Sequence, residues 1–144
     1  MSKARSMARK RAAQALYTWE MSNNDLSDIE QQFLIEQDMK NVDLKYFREL
    51  LHKVPAHTDV IDEHITSFLD RPMKEVDPVE LAIMRLGVYE LKYRPDVPYK
   101  VIINESVELA KIFGAEDGFK YVNSILDGVA KKLRAVEVNA RKSS

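Results

Sequence analysis

Apolar residues recur along this chain at intervals of three, four and seven, with no sustained alternation of period two. Such spacing lines apolar side chains along one stripe of a helix, so the pattern predicts an all-α fold. A first helix carries Ala4, Ala8, Ala12, Ala15, Leu16 and Trp19 on one stripe and ends before the polar run Ser22-Asn23-Asn24. Asp25 is placed to cap a second helix with Leu26, Ile29 and Phe33 facing inward, and Asp43 to cap a third. The third series, Leu44, Phe47, Leu51, Val54, Thr58, Ile61, Ile65 and Phe68, keeps one face across Pro55. That continuity predicts a single helix kinked at the proline.

Arg71-Pro72 marks a boundary, because a residue before proline avoids helical geometry. Asp77-Pro78-Val79-Glu80 then reads as a helix start, with Asp77 as cap, Pro78 in the first turn and Glu80 reaching back to the cap. From Leu81 to Leu91 this fourth helix is apolar almost all round, as the central post of a core must be. Arg94-Pro95-Asp96-Val97-Pro98 is a rigid turn. A fifth helix is expected from about Tyr99 to Phe113, with Gly114 as a left-handed stop. A sixth opens on Glu116 and Asp117, acids suited to the positive end of a helix, and turns Phe119, Val122, Ile125, Leu126, Val129 and Leu133 inward. The break near 71–77 divides the helices into a first three and a last three. The expected architecture is two packed three-helix bundles in one domain, about 3–70 and 77–136, followed by a disordered polar tail over 138–144.

Composition narrows the function classes. A length of 144 residues suits one domain, and the absence of cysteine excludes disulfides, thiol catalysis and thiolate metal sites. No apolar run reaches membrane-spanning length, and no apolar segment follows the basic N-terminus to make it a signal peptide. A soluble cytoplasmic protein is expected.

Charge changes the picture more. The totals, 22 basic and 23 acidic residues, suggest neutrality. Yet residues 1–19 hold Lys3, Arg5, Arg9, Lys10 and Arg11 with no acid, and residues 131–144 hold Lys131, Lys132, Arg134, Arg141 and Lys142 against Glu137 alone. Removing these ten bases and one acid leaves 12 bases against 22 acids in residues 20–130, a net of −10. A basic pole on an acidic body is the footprint of a polyanion reader, or of two faces for two partners. A merely solvated helix end gives the same charge pattern.

Catalytic signatures are lacking: there is no phosphate-binding loop and no dinucleotide-binding glycine pattern. His52, His57 and His64 all fall in the third helical series without the close pairing that a helical zinc site uses, so no metal or other cofactor is expected. The first helix is more informative. Lys10, Gln14 and Tyr17 lie roughly opposite its apolar stripe, with Arg5 and Arg9 flanking that side one turn apart. An aromatic ring in line with positive charge suits single-stranded RNA, whose bases stack on rings while Lys and Arg hold phosphates. Tyr17 packed against the second bundle is the competing reading. A second candidate is the start of the sixth helix, where Lys120 and Tyr121 leave the core stripe at an N-terminus suited to phosphate, opposed by Glu116 and Asp117.

Two stretches then carry a resemblance. One is Arg9-Lys10-Arg11-Ala12-Ala13-Gln14-Ala15-Leu16-Tyr17-Thr18-Trp19. The other runs from Asp96-Val97-Pro98-Tyr99-Lys100 through Asn104-Glu105-Ser106 and Phe113-Gly114-Ala115-Glu116-Asp117 to Tyr121-Val122-Asn123-Ser124-Ile125-Leu126-Asp127. With Val79 to Leu91 they resemble the NusB family of bacterial transcription antitermination factors over essentially the full length. The same helical domain resembles the N-terminal part of a class of ribosomal RNA cytosine methyltransferases, but their glycine-rich cofactor loop is missing here. The resemblance implies a non-enzymatic RNA-binding subunit. It would pair with the ribosomal protein NusE and recognise the single-stranded boxA element of ribosomal RNA leaders. With other Nus factors it would act on RNA polymerase so that transcription passes terminators. It places RNA against Lys3, Arg5, Arg9 and Lys10, with Gln14 and Tyr17 behind them, and against Asp117, Lys120 and Tyr121. Ser6 and Met7 interrupt an arginine run that relatives carry more densely, and Pro55 departs from the pattern. The acidic body suits a basic ribosomal partner, with Glu75 and Glu80 as the expected contacts. A structural adaptor without RNA contact is the alternative.

Overall fold

The computed structural model describes residues 2–143, with side chains described for 2–140. Eight α-helices are present among the described residues, and no strand. They are α1 (Lys3–Ser22), α2 (Leu26–Glu36), α3 (Leu44–Ala56), α4 (Thr58–Thr66), α5 (Pro78–Tyr93), α6 (Tyr99–Phe113), α7 (Gly118–Leu133) and α8 (Ala135–Ser143), with a 3₁₀ turn at Met73–Glu75 before α5. The expected caps form. Asp25 accepts the Ser27 amide at 2.8 Å, Asp43 the Tyr46 amide at 3.0 Å, and Asp77 those of Val79 and Glu80 at 2.8 and 3.2 Å.

Helix α5 is the central post. Every residue from Glu80 to Leu91 is buried, and α1, α3, α4, α6 and α7 all pack on it. Helices α1, α2 and α3 pack on one another, as do α5, α6 and α7. Gly87 lets α7 pack closely on α5, since a Cβ there would lie 2.9 Å from the Leu126 side chain of α7.

Four expectations need correction. The chain does not kink at Pro55 but breaks two residues later. His57 takes φ −113°, ψ 19°, and the Thr58 hydroxyl donates to the carbonyls of Val54 and Pro55 at 3.1 and 2.8 Å. Proline deletes a ladder hydrogen bond, and here the helix stops rather than bends. As a result α4 packs against α5 and α7 more than along α3. Gly114 is extended (φ −83°, ψ 175°), and the left-handed residues are Asn23 and Asp117. Glu80 does not reach back to its cap but turns inward. The expected disordered tail continues as α8, because Val138 buries its side chain and Glu137 pairs with Arg134 at 2.7 Å and accepts the Tyr99 amide at 3.0 Å. Ser144 and the side chains of 141–144 lie outside the described residues.

Candidate nucleic-acid interface

The two faces of α1 differ sharply. Arg9 is 2% exposed, between Glu90 of α5, itself 1% exposed, and Glu105 of α6. Its Nε and Nη2 donate to the Glu90 carboxylate at 2.9 Å each, and Nη1 donates to Glu105 at 3.0 Å. The Tyr46 hydroxyl of α3 also donates to Glu90, and Ser6 donates to Glu105. Burial works against the Arg9 charge, but Glu90 outweighs it and holds the guanidinium above its ordinary pKa. Burial, reinforced by Glu90, pushes the Tyr46 phenol up as well. The expectation that Arg9 contacts phosphate is therefore corrected: its charge is matched inside the protein. Arg5 is partly committed too, lying 4.3 Å from the Tyr46 ring centroid and 4.0 Å from Asp96.

The opposite face remains open. Lys3 is exposed, Lys10 is half-buried, and neither makes an ion pair or hydrogen bond among the described residues. Gln14 and Tyr17 line a cleft of about 450 Å³ with Gln32, Phe33 and Gln37 from the α2 region, Val79 of α5 and Phe113 of α6. Tyr17 is 36% exposed at its mouth. The Gln14 side-chain oxygen accepts from Arg11 at 2.9 Å, and Arg11 reaches Gln37 at 3.4 Å across the cleft edge. Aromatic walls with side-chain amides provide both a stacking surface and groups that match base edges. Gln32, Gln37, Val79 and Phe113 carry no local sequence signal; only the fold brings them to Tyr17.

Phe113 leads directly into the second segment. The loop from Gly114 to Asp117 lies over the carboxylate of Glu80, which accepts the Ala115 amide at 3.4 Å. The chain passes so close that a Cβ on Gly118 would fall 2.2 Å from a Glu80 oxygen. Burial, then the nearby charge of Asp77, raises the Glu80 pKa. At 6% exposure Glu80 supports this loop from below, which corrects its reading as a partner contact. Glu75 stays exposed on the 3₁₀ turn. Asp117 opens α7 in a left-handed conformation (φ 66°) without capping it, and pairs with Lys120 at 3.5 Å, both well exposed. Tyr121 is half-buried, and its hydroxyl donates to Asp70 at 3.0 Å. The histidines do not converge: His52 meets Glu30 at 2.6 Å, and His57 stacks on Tyr93 at 4.4 Å.

An all-helical domain with an aromatic, amide-lined cleft beside unpaired lysines has the make-up of a nucleic-acid-binding module. The NusB family profile matches residues 6–131, and the chain belongs to the NusB family. It is 56% identical over 130 residues to the transcription antitermination protein NusB of Shewanella halifaxensis (strain HAW-EB4), covering 90% of this chain and 96% of that protein. It is 52% identical over 141 residues to the NusB of Pseudomonas entomophila (strain L48), covering 98% and 85% respectively. Its fold matches a solved T. maritima NusB at a TM-score of 0.76 with 30% identity, covering 91% of this chain and 93% of that one. It also matches a crystal structure of antitermination factors NusB and NusE in complex with dsRNA, at a TM-score of 0.84 with 27% identity, covering 92% and 99%.

Proposed function

We propose that this chain is a non-enzymatic transcription antitermination factor of the cytoplasm. It binds boxA RNA of ribosomal RNA leaders as a single strand, together with NusE, and supports processive transcription by RNA polymerase with other Nus factors. The observation that carries the RNA reading is the cleft, which sets Gln14 and Tyr17 of α1 beside Phe113, at the head of the loop leading to Asp117, Lys120 and Tyr121. Lys3 and Lys10 supply phosphate contacts, Tyr17 stacks on a base, and the cleft amides meet base edges. The acidic body, net −10 over residues 20–130, attracts a basic ribosomal protein, and Glu75 is the contact retained for it.

A filter-binding salt titration with a single-stranded leader RNA, with and without the partner protein, tests this. Each phosphate contact adds roughly 0.7 to the log–log salt slope. The expected result is a slope of several contacts that falls when Lys3 and Lys10 are both replaced by alanine. An affinity too weak to measure, with partner binding intact, favours the structural adaptor.

A further inference from the structure

We propose that at the second segment an unpaired RNA base stacks on Arg71, rather than on the Tyr121 ring behind it; this rests on the RNA-binding reading above. The Arg71 guanidinium sits over the Tyr121 ring, 4.4 Å from its centroid. Asp70 fixes it there, accepting from Nε at 2.7 Å and from Nη2 at 3.3 Å. The same carboxylate accepts the Tyr121 hydroxyl at 3.0 Å, so one acid clamps both the cation and the ring. Tyr121 packs against the core, and Arg71 covers its ring. Outermost is the guanidinium, whose side chain is 43% exposed, over a Tyr121 that is half-buried.

A guanidinium is planar, weakly hydrated and a good stacking partner for a nucleobase. Asp70 takes the Nε and Nη2 donors and fixes the plane over Tyr121, which leaves the outer face of the guanidinium set for stacking. Arg71 and Tyr121 both hold the Asp70 carboxyl below its ordinary range, so the clamp stays ionised at neutral pH. From the sequence Arg71 reads only as a helix boundary, because Tyr121 is fifty residues away.

The test compares the full-length wild type with Arg71→Lys and Arg71→Met, using a single-stranded boxA leader RNA over a range of salt. Stacking predicts at least a five-fold loss of affinity in both variants, toward the lower end of the usual range because the uncovered Tyr121 ring takes over part of the contact. The salt slope and the melting temperature stay at their wild-type values. In the wild type, RNA addition moves the Arg71 δ-methylene proton resonances upfield, as a base ring current requires. Full affinity for Arg71→Lys, with a weaker and shallower curve for Arg71→Met, would make Arg71 a point charge on a phosphate and overturn the proposal. Wild-type affinity in both variants overturns it too. A wild type that fails to bind the RNA sinks the RNA reading itself, and this contact with it.

Discussion

The inner and outer faces of α1 carry the same kind of residue to opposite ends. On the inner side Arg9 joins four helices, through Glu90 of α5, Glu105 of α6 and Tyr46 of α3. On the outer side Lys10, next in sequence, pairs with nothing among the described residues and lies on the Gln14–Tyr17 side. One step along a helix turns a side chain by about 100°, enough to separate a core ion pair from a half-buried cation that has no partner among the described residues. A run of basic residues thus predicts polyanion binding only after the charges answered from within are subtracted. Arg85 makes the same point: on α5 it is spent on Asp62 of α4 at 2.8 Å and Glu20 of α1 at 2.6 Å.

The sharpest way to break this comparison is Arg9→Met. Removing one member of a buried ion pair strands the other charge, at a cost of about 3–5 kcal/mol. We expect a large fall in the denaturation midpoint, with the RNA salt slope of the remaining folded protein unchanged. A normal melt and a flatter slope would return Arg9 to the RNA side.

Tyr17→Ala examines the outer face. Loss of a stacked base weakens RNA binding by about 1–3 kcal/mol. The ring sits at a cleft mouth and not in the core, so the melt should change much less than binding does. A lower melt with normal binding by the folded fraction would show that the ring serves packing alone.

Why one face was legible and the other was not follows from how far each signal travels. Caps are local, so Asp25, Asp43 and Asp77 mark their helices correctly, and the apolar run from Leu81 to Leu91 identifies the central post. The partners of Arg9 lie 81 and 96 residues ahead, and nothing near Arg9 announces them. Glu80 misleads for the same reason: its local pattern fits a capping box, but the buried space under residues 114–118 takes its carboxylate. Tyr17 and Gln14 are visible by periodicity, whereas Gln32, Gln37 and Phe113 reach the cleft only through packing.

Glu80→Gln probes the support under the loop. A carboxyl whose folded pKa is raised binds more protons folded than unfolded, so stability falls as pH rises from the ordinary carboxylate range through the folded value. Glutamine removes that loss. The variant should therefore gain stability relative to wild type at pH 7, and the gain should shrink as pH falls through the folded value into the ordinary carboxylate range, where the wild-type carboxyl takes up its proton. Equal pH profiles from thermal melts would show that Glu80 carries no burial penalty. Weaker partner binding with an unchanged melt would restore it as a surface contact.

The smallest expected effect is at Asp117, where two influences oppose each other. An acid at the start of α7 favours the helix by about 0.3–1 kcal/mol, so Asp117→Asn should lower the melt slightly. Asparagine tolerates the left-handed conformation observed at this position, which keeps that loss small. The substitution also removes a negative charge beside the proposed RNA path and frees Lys120 from its 3.5 Å ion pair. Both changes favour an approaching phosphate, and both are screened by salt because the groups are exposed. Asp117→Asn should therefore bind leader RNA more tightly at low ionic strength and converge on wild type as salt rises. The measurement is affinity at two salt concentrations beside a thermal melt. Weaker binding at low salt would mean that the carboxylate accepts a hydrogen bond from the RNA. No change at either salt would move the RNA path away from the start of α7 and leave the outer face of α1 to bind it alone.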